Sequence, residues 1–146
     1  MNQLPLTVQA ARLRLAQQRP YLTAALWALQ PVARPGLKTM GVDQYWRLYF
    51  DPDHKSWSVE QTAGALYHEI CHLLREHPSR MQGHDPATAN IAADLEINDD
   101  LSAECVKLPD GALMPGDYGL PNGLLAEEYL AVLEQGAAGS GGDGRS

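Results

Sequence analysis

The spacing of hydrophobic residues predicts several helices and one strand. Residues 7–18 predict a helix that Pro20 interrupts, and a second helix is predicted over 21–29, where Leu22, Leu26 and Leu29 share one face. Residues 44–50 alternate with a period of two, the pattern of a half-buried strand. The segment 31–36 is rich in proline and glycine and predicts a connection between these elements.

Capping signals predict two longer helices in the middle of the chain. Ser58 and Gln61 form a capping-box pattern, and the helix they begin is expected to run over 58–77 and to end before a proline. Asp85 stands before a proline, which predicts an N-cap and first helical position for a second helix over 85–103.

The last third of the chain predicts a division into one domain and a tail. Residues 108–123 carry many prolines and glycines and predict an irregular loop, and a short helix over 124–133 is expected to follow. The Gly/Ser-rich segment 136–146 predicts a disordered tail, so the folded domain is expected to span residues 1–135.

Composition narrows the class of protein. The formal charge of −7 argues against non-specific nucleic-acid binding and against adhesion to an anionic membrane. The N-terminus lacks a signal-peptide pattern, and no apolar run approaches the roughly 20 residues that span a bilayer. Cys71 and Cys105 are too few for a disulfide framework. We therefore expect a reduced, cytoplasmic protein without nucleic-acid or membrane partners.

The helix over 58–77 contains the motif His-Glu-x-x-His at residues 68–72. At about 100° per residue, His68 and His72 lie about 40° apart on successive turns, so both imidazoles can reach one metal ion. Glu69 lies about 100° from His68, where a carboxylate suits a base acting on metal-activated water. The alternative is a pair of surface histidines beside an unrelated glutamate. A broad apolar arc on the opposite side favours the metal site, because that arc is expected to pack into the core: Ala63, Leu66, Tyr67, Ile70, Cys71, Leu73 and Leu74.

A catalytic zinc normally has three protein ligands, so a third must come from elsewhere. His77 would lie about 180° from His68 on a continuous helix and is expected to cap the helix end instead. Asp94 stands among apolar residues on the helix over 85–103 and is the predicted third ligand, flanked on one face by the amides of Asn90 and Asn98. Glu96 points about 200° away and is the weaker candidate.

Several other residues are open alternatives for supporting roles. Any one of four side chains is a candidate oxyanion-stabilising donor, and the sequence does not choose among them: His54, His84, Tyr118 and Tyr129. Glu76 is a candidate for orienting His72, although a solvated glutamate is equally compatible with its position.

The chain resembles the "Putative metallopeptidase domain" family of bacteria and phages, which commonly precedes a von Willebrand factor A-like domain. The resemblance extends over nearly the whole globular part. It rests on these segments: Arg19-Pro20-Tyr21-Leu22, residues 38–43, Leu48-Tyr49-Phe50-Asp51-Pro52, residues 68–72 with His77 and Arg80, residues 90–94 with Ile97 and Asn98, Gly119-Leu120-Pro121, and Ala126-Glu127-Glu128-Tyr129.

The resemblance implies a zincin-like α+β fold, in which a small sheet packs on the metal-binding helix and the following helix carries the third ligand. It implies zinc held by His68 and His72, supports Asp94 as the third ligand, and implies Glu69 as catalytic base. The expected activity is zinc-dependent hydrolysis of peptide bonds in a peptide or protein substrate, and a von Willebrand factor A-like domain or protein is an implied partner.

Two other functions stay open at this point. One is a non-catalytic, metal-stabilised module that recruits a protein partner, and the other is a degenerate peptidase without an oxyanion donor. If the chain is a peptidase, we expect a sheet edge near residues 45–50 to hold an extended peptide by strand addition.

Overall fold

The computed structural model describes residues 4–54 and 56–142, with side chains through residue 136. Within these ranges the chain forms a three-stranded sheet and six α-helices, which confirms the predicted α+β class. The zincin-like arrangement of these elements stays a prediction. The elements in chain order are α1 (Leu6–Gln18), α2 (Thr23–Ala28), β1 (Gln30–Ala33), β2 (Met40–Val42), β3 (Arg47–Phe50), α3 (Val59–Leu74), α4 (His77–Arg80), α5 (Pro86–Ala103) and α6 (Ala126–Gly142).

The sheet has the order β1-β3-β2, with β3 in the centre. Strand β1 runs parallel to β3, and β2 runs antiparallel to it. The sequence predicts only the central strand, because Pro31 in β1 and Gly41 in β2 are residue types typical of turns. A proline is compatible with β1 because this strand lies at an edge, where one side of its backbone has no ladder to complete.

The expectation that residues 45–50 form a peptide-binding edge is wrong. Strand β3 is paired on both sides, so its backbone has no free ladder. The edges of the sheet belong to β1 and β2, and β2 is the strand that packs against α3.

Helices α3 and α5 begin where the capping signals predict. The Ser58 hydroxyl accepts a hydrogen bond from the Gln61 backbone N–H, and the Gln61 side chain accepts one from the Ser58 N–H, both at 3.0 Å. The Asp85 carboxylate accepts from the backbone N–H of Thr88 at 3.0 Å. These bonds satisfy N–H groups that a helix start leaves without partners, and they fix the direction in which each helix leaves its loop.

Helix α3 ends earlier than predicted. Its last residue is Leu74, and Glu76 takes a left-handed conformation with φ of 56°. A left-handed residue turns the chain out of the helix, so His77 begins the separate helix α4. His77 is therefore neither on the α3 helical wheel nor the cap of that helix.

Helix α5 lies between two hydrophobic cores. Its residues Ile97 and Leu101 belong to the larger core with α1, α2, the sheet and α3, while Ala92 and Leu95 belong to a second core with α6. Packing on both sides holds α5 in a fixed position beside α3. The polar side chains of α5 that face α3, Asp94 and Asn98, therefore lie at fixed distances from it.

Gly64 allows the segment after α5 to cross α3 in close contact. A Cβ atom at this position would lie only 1.9 Å from the backbone carbonyl oxygen of Lys107. Only glycine permits this approach, which carries the chain from Lys107 into the following loop beside α3.

Helix α6 continues past the predicted end of the last helix. The sequence predicts a helix over 124–133, whereas α6 extends from Ala126 to Gly142. Residues 143–146 of the expected tail lie outside the described residues, and the division of the chain at residue 136 stays a prediction.

Cys71 and Cys105 are both free, as their number predicts. Among the described residues, no helix combines the length and the hydrophobicity needed to cross a bilayer.

Candidate metal centre

Three side chains from α3 and α5 converge on one point. His68 Nε2 and His72 Nε2 lie 3.0 Å apart, because the two residues stand one turn apart on α3. Asp94 projects from α5, and its Oδ1 lies 3.0 Å from each of these nitrogens. The structure thus brings together the three residues that the sequence nominates as ligands.

Asn98 determines which nitrogen of His68 is available at this point. The Asn98 amide nitrogen donates to the Leu113 carbonyl at 2.8 Å, so its Oδ1 faces His68. This oxygen lies 2.7 Å from His68 Nδ1 and can only accept, so the proton of His68 is on Nδ1. In the neutral imidazole, Nε2 then presents a lone pair towards Asp94 and His72. Asn98, which the sequence places on the same helix face as Asp94, therefore accepts a hydrogen bond from His68.

His72, the other candidate ligand histidine, contacts a third histidine, His77. His72 Nδ1 lies 3.1 Å from His77 Nδ1, and His77 Nε2 lies 2.8 Å from Glu96 Oε1. Both His77 and Glu96 are buried, with 3% and 5% of their surface exposed. The sequence does not predict this pair. The prediction for His77 assumes that α3 continues to this residue, and the prediction for Glu96 considers only its direction relative to Asp94 on α5. Glu76, the sequence candidate for orienting His72, is exposed.

Glu96 connects four helices. Its carboxylate accepts from Arg75 at the end of α3, from Arg80 of α4 at 3.0 Å, and from the Ala126 backbone N–H of α6 at 2.7 Å. Burial by itself raises the pKa of Glu96, but hydrogen bonds from His77, Arg80 and Ala126 outweigh it and hold the pKa well below its usual range. Glu96 is therefore a carboxylate in the folded protein.

The three converging groups also perturb one another. Burial raises the pKa of Asp94, but the bonds to His68 and His72 reverse this and hold it well below its usual value. Burial lowers the pKa of His68, and Asp94 and Glu69 outweigh it, so the net shift is upward. Burial dominates at His72, whose pKa is lowered. The two neighbouring histidines therefore have pKa values shifted in opposite directions, His68 upward by Asp94 and Glu69 and His72 downward by burial.

The donor set fits a divalent cation. Two imidazole nitrogens and one carboxylate oxygen form a triangle with edges of 3.0 Å. A tetrahedral zinc with bonds of about 2.0–2.1 Å separates its ligand atoms by about 3.3 Å, so small shifts suffice. When neither Nε2 atom carries a proton, three electron-rich atoms face each other without a hydrogen among them. A cation resolves that repulsion.

Glu69 lines the same cleft as this cluster of His68, His72 and Asp94, and its side chain has no hydrogen-bond partner among the described residues. Burial raises the pKa of Glu69 to about 7, a shift that His68 opposes and Asp94 reinforces. A carboxylate in this position is available to a bound molecule rather than used by the fold.

The cleft is large and has three walls. Its volume is about 940 Å³. One wall is β2, from Met40 to Val42, the second is the segment from Pro78 to Pro86, and the third is the loop from Leu108 to Leu113. The volume is therefore at the upper end of the range for ligand pockets and exceeds what a single small group needs.

The turn between β2 and β3 is held by Asp43. Its carboxylate accepts from the backbone N–H groups of Tyr45 and Arg47 and from the Tyr49 hydroxyl, which lies at 2.7 Å. Burial raises the pKa of Asp43, but Tyr49 and Arg47 outweigh it and lower the pKa to about 2. Asp43 thus stays ionised and fixes the end of β2 that borders the cleft.

The four candidate oxyanion donors lie in different surroundings. His84 lines the cleft, and its Nδ1 lies 2.9 Å from a Glu134 carboxylate oxygen. Tyr129 is fully buried and its hydroxyl donates to the Pro121 carbonyl. His54 and Tyr118 are not among the residues that line the cleft. Of the four, the geometry leaves His84 in reach of a molecule bound there.

Comparison with known proteins gives one match. No curated protein matches the chain, and no solved structure matches it. Residues 4–146 match the family described as "Putative metallopeptidase domain". That description implies a metal ion, for which His68, His72 and Asp94 form the candidate site. The chain therefore belongs to the putative metallopeptidase domain family.

Proposed function

We propose that the chain is a zinc-dependent peptidase in which His68, His72 and Asp94 hold the metal and Glu69 is the general base. The observation that carries the proposal is the position of Glu69. Glu69 lines the same cleft as the three residues whose donor atoms converge, and its carboxylate has no hydrogen bond to the described residues.

The donor set favours zinc over calcium and magnesium. Imidazole and carboxylate ligands suit zinc, and calcium and magnesium prefer oxygen ligands alone. Three protein ligands also leave a coordination position open, the hallmark of catalytic rather than structural zinc sites. When bound, zinc acidifies water and polarises a carbonyl group.

Glu69 supplies the proton transfers. Its carboxylate takes one proton from the attacking water, whose oxygen forms the new bond to the carbonyl carbon. The same proton then passes to the departing amine nitrogen as the C–N bond breaks. Glu69 therefore ends each cycle ionised, and water is the only reagent consumed.

The cleft favours an extended peptide as substrate. Strand β2 borders it, and the edge of β2 opposite β3 has no strand partner among the described residues. A peptide laid along β2 would satisfy the backbone groups of that edge by strand addition. This assigns to β2 the role that the sequence suggested for residues 45–50.

Cleavage of a mixed peptide library by the zinc-loaded chain tests the proposed function. We expect products by mass spectrometry, their loss after treatment with a chelator, and their return when zinc is restored. A chain that binds zinc and cleaves no peptide would contradict the peptidase proposal and favour a metal-stabilised binding module.

Backbone methylation of a cleaved peptide tests strand addition along β2. We expect methyl groups on alternate backbone nitrogens to reduce kcat/KM by roughly two- to tenfold each, because each removes one hydrogen bond to the strand edge. Methylation of the intervening nitrogens in the same peptide is the matched control. Losses without this alternation would show that the peptide does not pair with β2.

A further inference from the structure

The contacts of His72 and His77 restrict where their protons are. The two Nδ1 atoms lie 3.1 Å apart, so a hydrogen bond between them needs one proton on one of the two atoms. On the far side of His77, Nε2 lies 2.8 Å from the Glu96 carboxylate. That oxygen can only accept, so His77 Nε2 carries a proton.

A single arrangement satisfies all these contacts when His72 binds a metal. A metal ligand must have a bare nitrogen, so with Nε2 at the metal the proton of neutral His72 is on Nδ1. His72 Nδ1–H then donates, and His77 Nδ1 accepts. His77 is neutral with its proton on Nε2, which donates to Glu96.

We infer that His77 is a positioning residue for the metal site, and that Glu96 acts on the ligand His72 through it. This inference rests on the proposed function, because it requires Nε2 of His72 to be the metal-binding atom. A carboxylate that accepts a hydrogen bond from a metal-binding histidine fixes the orientation of the ring. It also makes the other ring nitrogen, the one that binds the metal, more basic. Here the Glu96 carboxylate contacts His77, and His77 in turn contacts the proposed ligand His72.

The two ligand histidines are thereby supported differently. His68 is oriented by the neutral amide of Asn98, whereas His72 is connected through His77 to a buried carboxylate. Glu96 also holds Arg75, Arg80 and the start of α6, so loss of Glu96 would disturb the fold as well. His77 is the better residue to change, because the described bonds of its ring are only those to His72 and Glu96.

The proton positions can be measured in the unmodified chain. In zinc-loaded protein with ¹⁵N-labelled histidine, ring nitrogen shifts separate protonated from bare nitrogens. We expect the proton of His72 on Nδ1 and that of His77 on Nε2, with His77 Nδ1 bare. A proton on His77 Nδ1 would overturn the inference. A purely structural role for His77 does not require this tautomer.

Substitution of His77 tests its effect on the metal. We expect His77→Phe, which fills the space but accepts no hydrogen bond, to weaken zinc binding by roughly 10- to 100-fold in competition with a chelator. The visible spectrum of the cobalt-substituted protein should change as well. His77→Gln retains an acceptor and a donor and should recover most of the affinity.

Glu127→Gln is the matched control, because it breaks an exposed contact of Arg80 in the same network without touching the histidines. Folded His77→Phe protein with the parent's zinc affinity and cobalt spectrum would overturn the inference. The tautomer measurement needs no substitution, so it decides the matter even if His77→Phe does not fold. A parent chain that binds no zinc overturns the proposed function together with this inference, whereas a zinc-binding parent with a proton on His77 Nδ1 overturns the inference alone.

Discussion

Glu69→Gln is expected to reduce peptide hydrolysis by roughly 10²- to 10⁴-fold while the protein keeps its metal and its fold. Glutamine has nearly the same shape as glutamate but cannot take a proton from water at neutral pH. The loss should fall mainly on kcat, since the step affected is proton transfer rather than binding. Because the Glu69 carboxylate makes no hydrogen bond to the described residues, its replacement removes no described hydrogen bond.

The measurement is kcat and KM on one peptide from the library, together with zinc content and thermal unfolding. Glu60→Gln is the matched control, because Glu60 is an exposed glutamate in the first turn of the same helix, outside the cleft lining. Parent-like hydrolysis by folded, zinc-loaded Glu69→Gln protein would remove Glu69 from the mechanism.

Asp94→Ala is expected to weaken zinc binding by more than about 100-fold, because loss of a direct ligand should exceed the 10- to 100-fold cost of losing an outer hydrogen bond. Only two nitrogens would remain for the metal, those of His68 and His72. The variant also loses the negative charge that favours a cation at this point. Elemental analysis of protein purified without chelators should give about one zinc per parent chain and much less in the variant.

Asp110→Ala provides the control for Asp94→Ala. Asp110 lines the same cleft, is exposed, and lies outside the candidate ligand cluster, so its removal changes the cleft charge alone. We expect this variant to keep its zinc. Equal zinc content in parent and Asp94→Ala protein would require a different third ligand.

Features that depend on neighbouring residues could be read from the sequence. The capping bonds of Ser58 and Asp85 join groups three residues apart, and both helices begin as predicted. The convergence of His68 and His72 is of the same kind, since one helical turn brings their nitrogens to 3.0 Å. The position of Glu69 next to His68 on α3 also follows from helix geometry.

The strand pairing, which depends on tertiary structure, was missed for β1 and β2 and wrongly predicted for the free edge. Strands β1 and β2 are four and three residues long and contain Pro31 and Gly41, so they have little local preference for extended structure. They are strands because β3 pairs with them. Because β3 is paired on both sides, the sheet edge among the strands that line the cleft belongs to β2 and not to residues 45–50.

The sequence by itself determined where the two long helices begin and that the imidazoles of His68 and His72 lie side by side, with Glu69 next to His68. Residue spacing on a helix fixes these relative positions directly. Only the tertiary structure decided that Asp94 meets the two histidines and that His77 and Glu96 lie behind His72. Asp94 reaches the histidines because α5 is packed between two cores, and the left-handed turn at Glu76 precedes the short helix that carries His77. Such contacts join residues up to 30 positions apart, as for His68 and Asn98, and their distances depend on packing rather than on any local repeat.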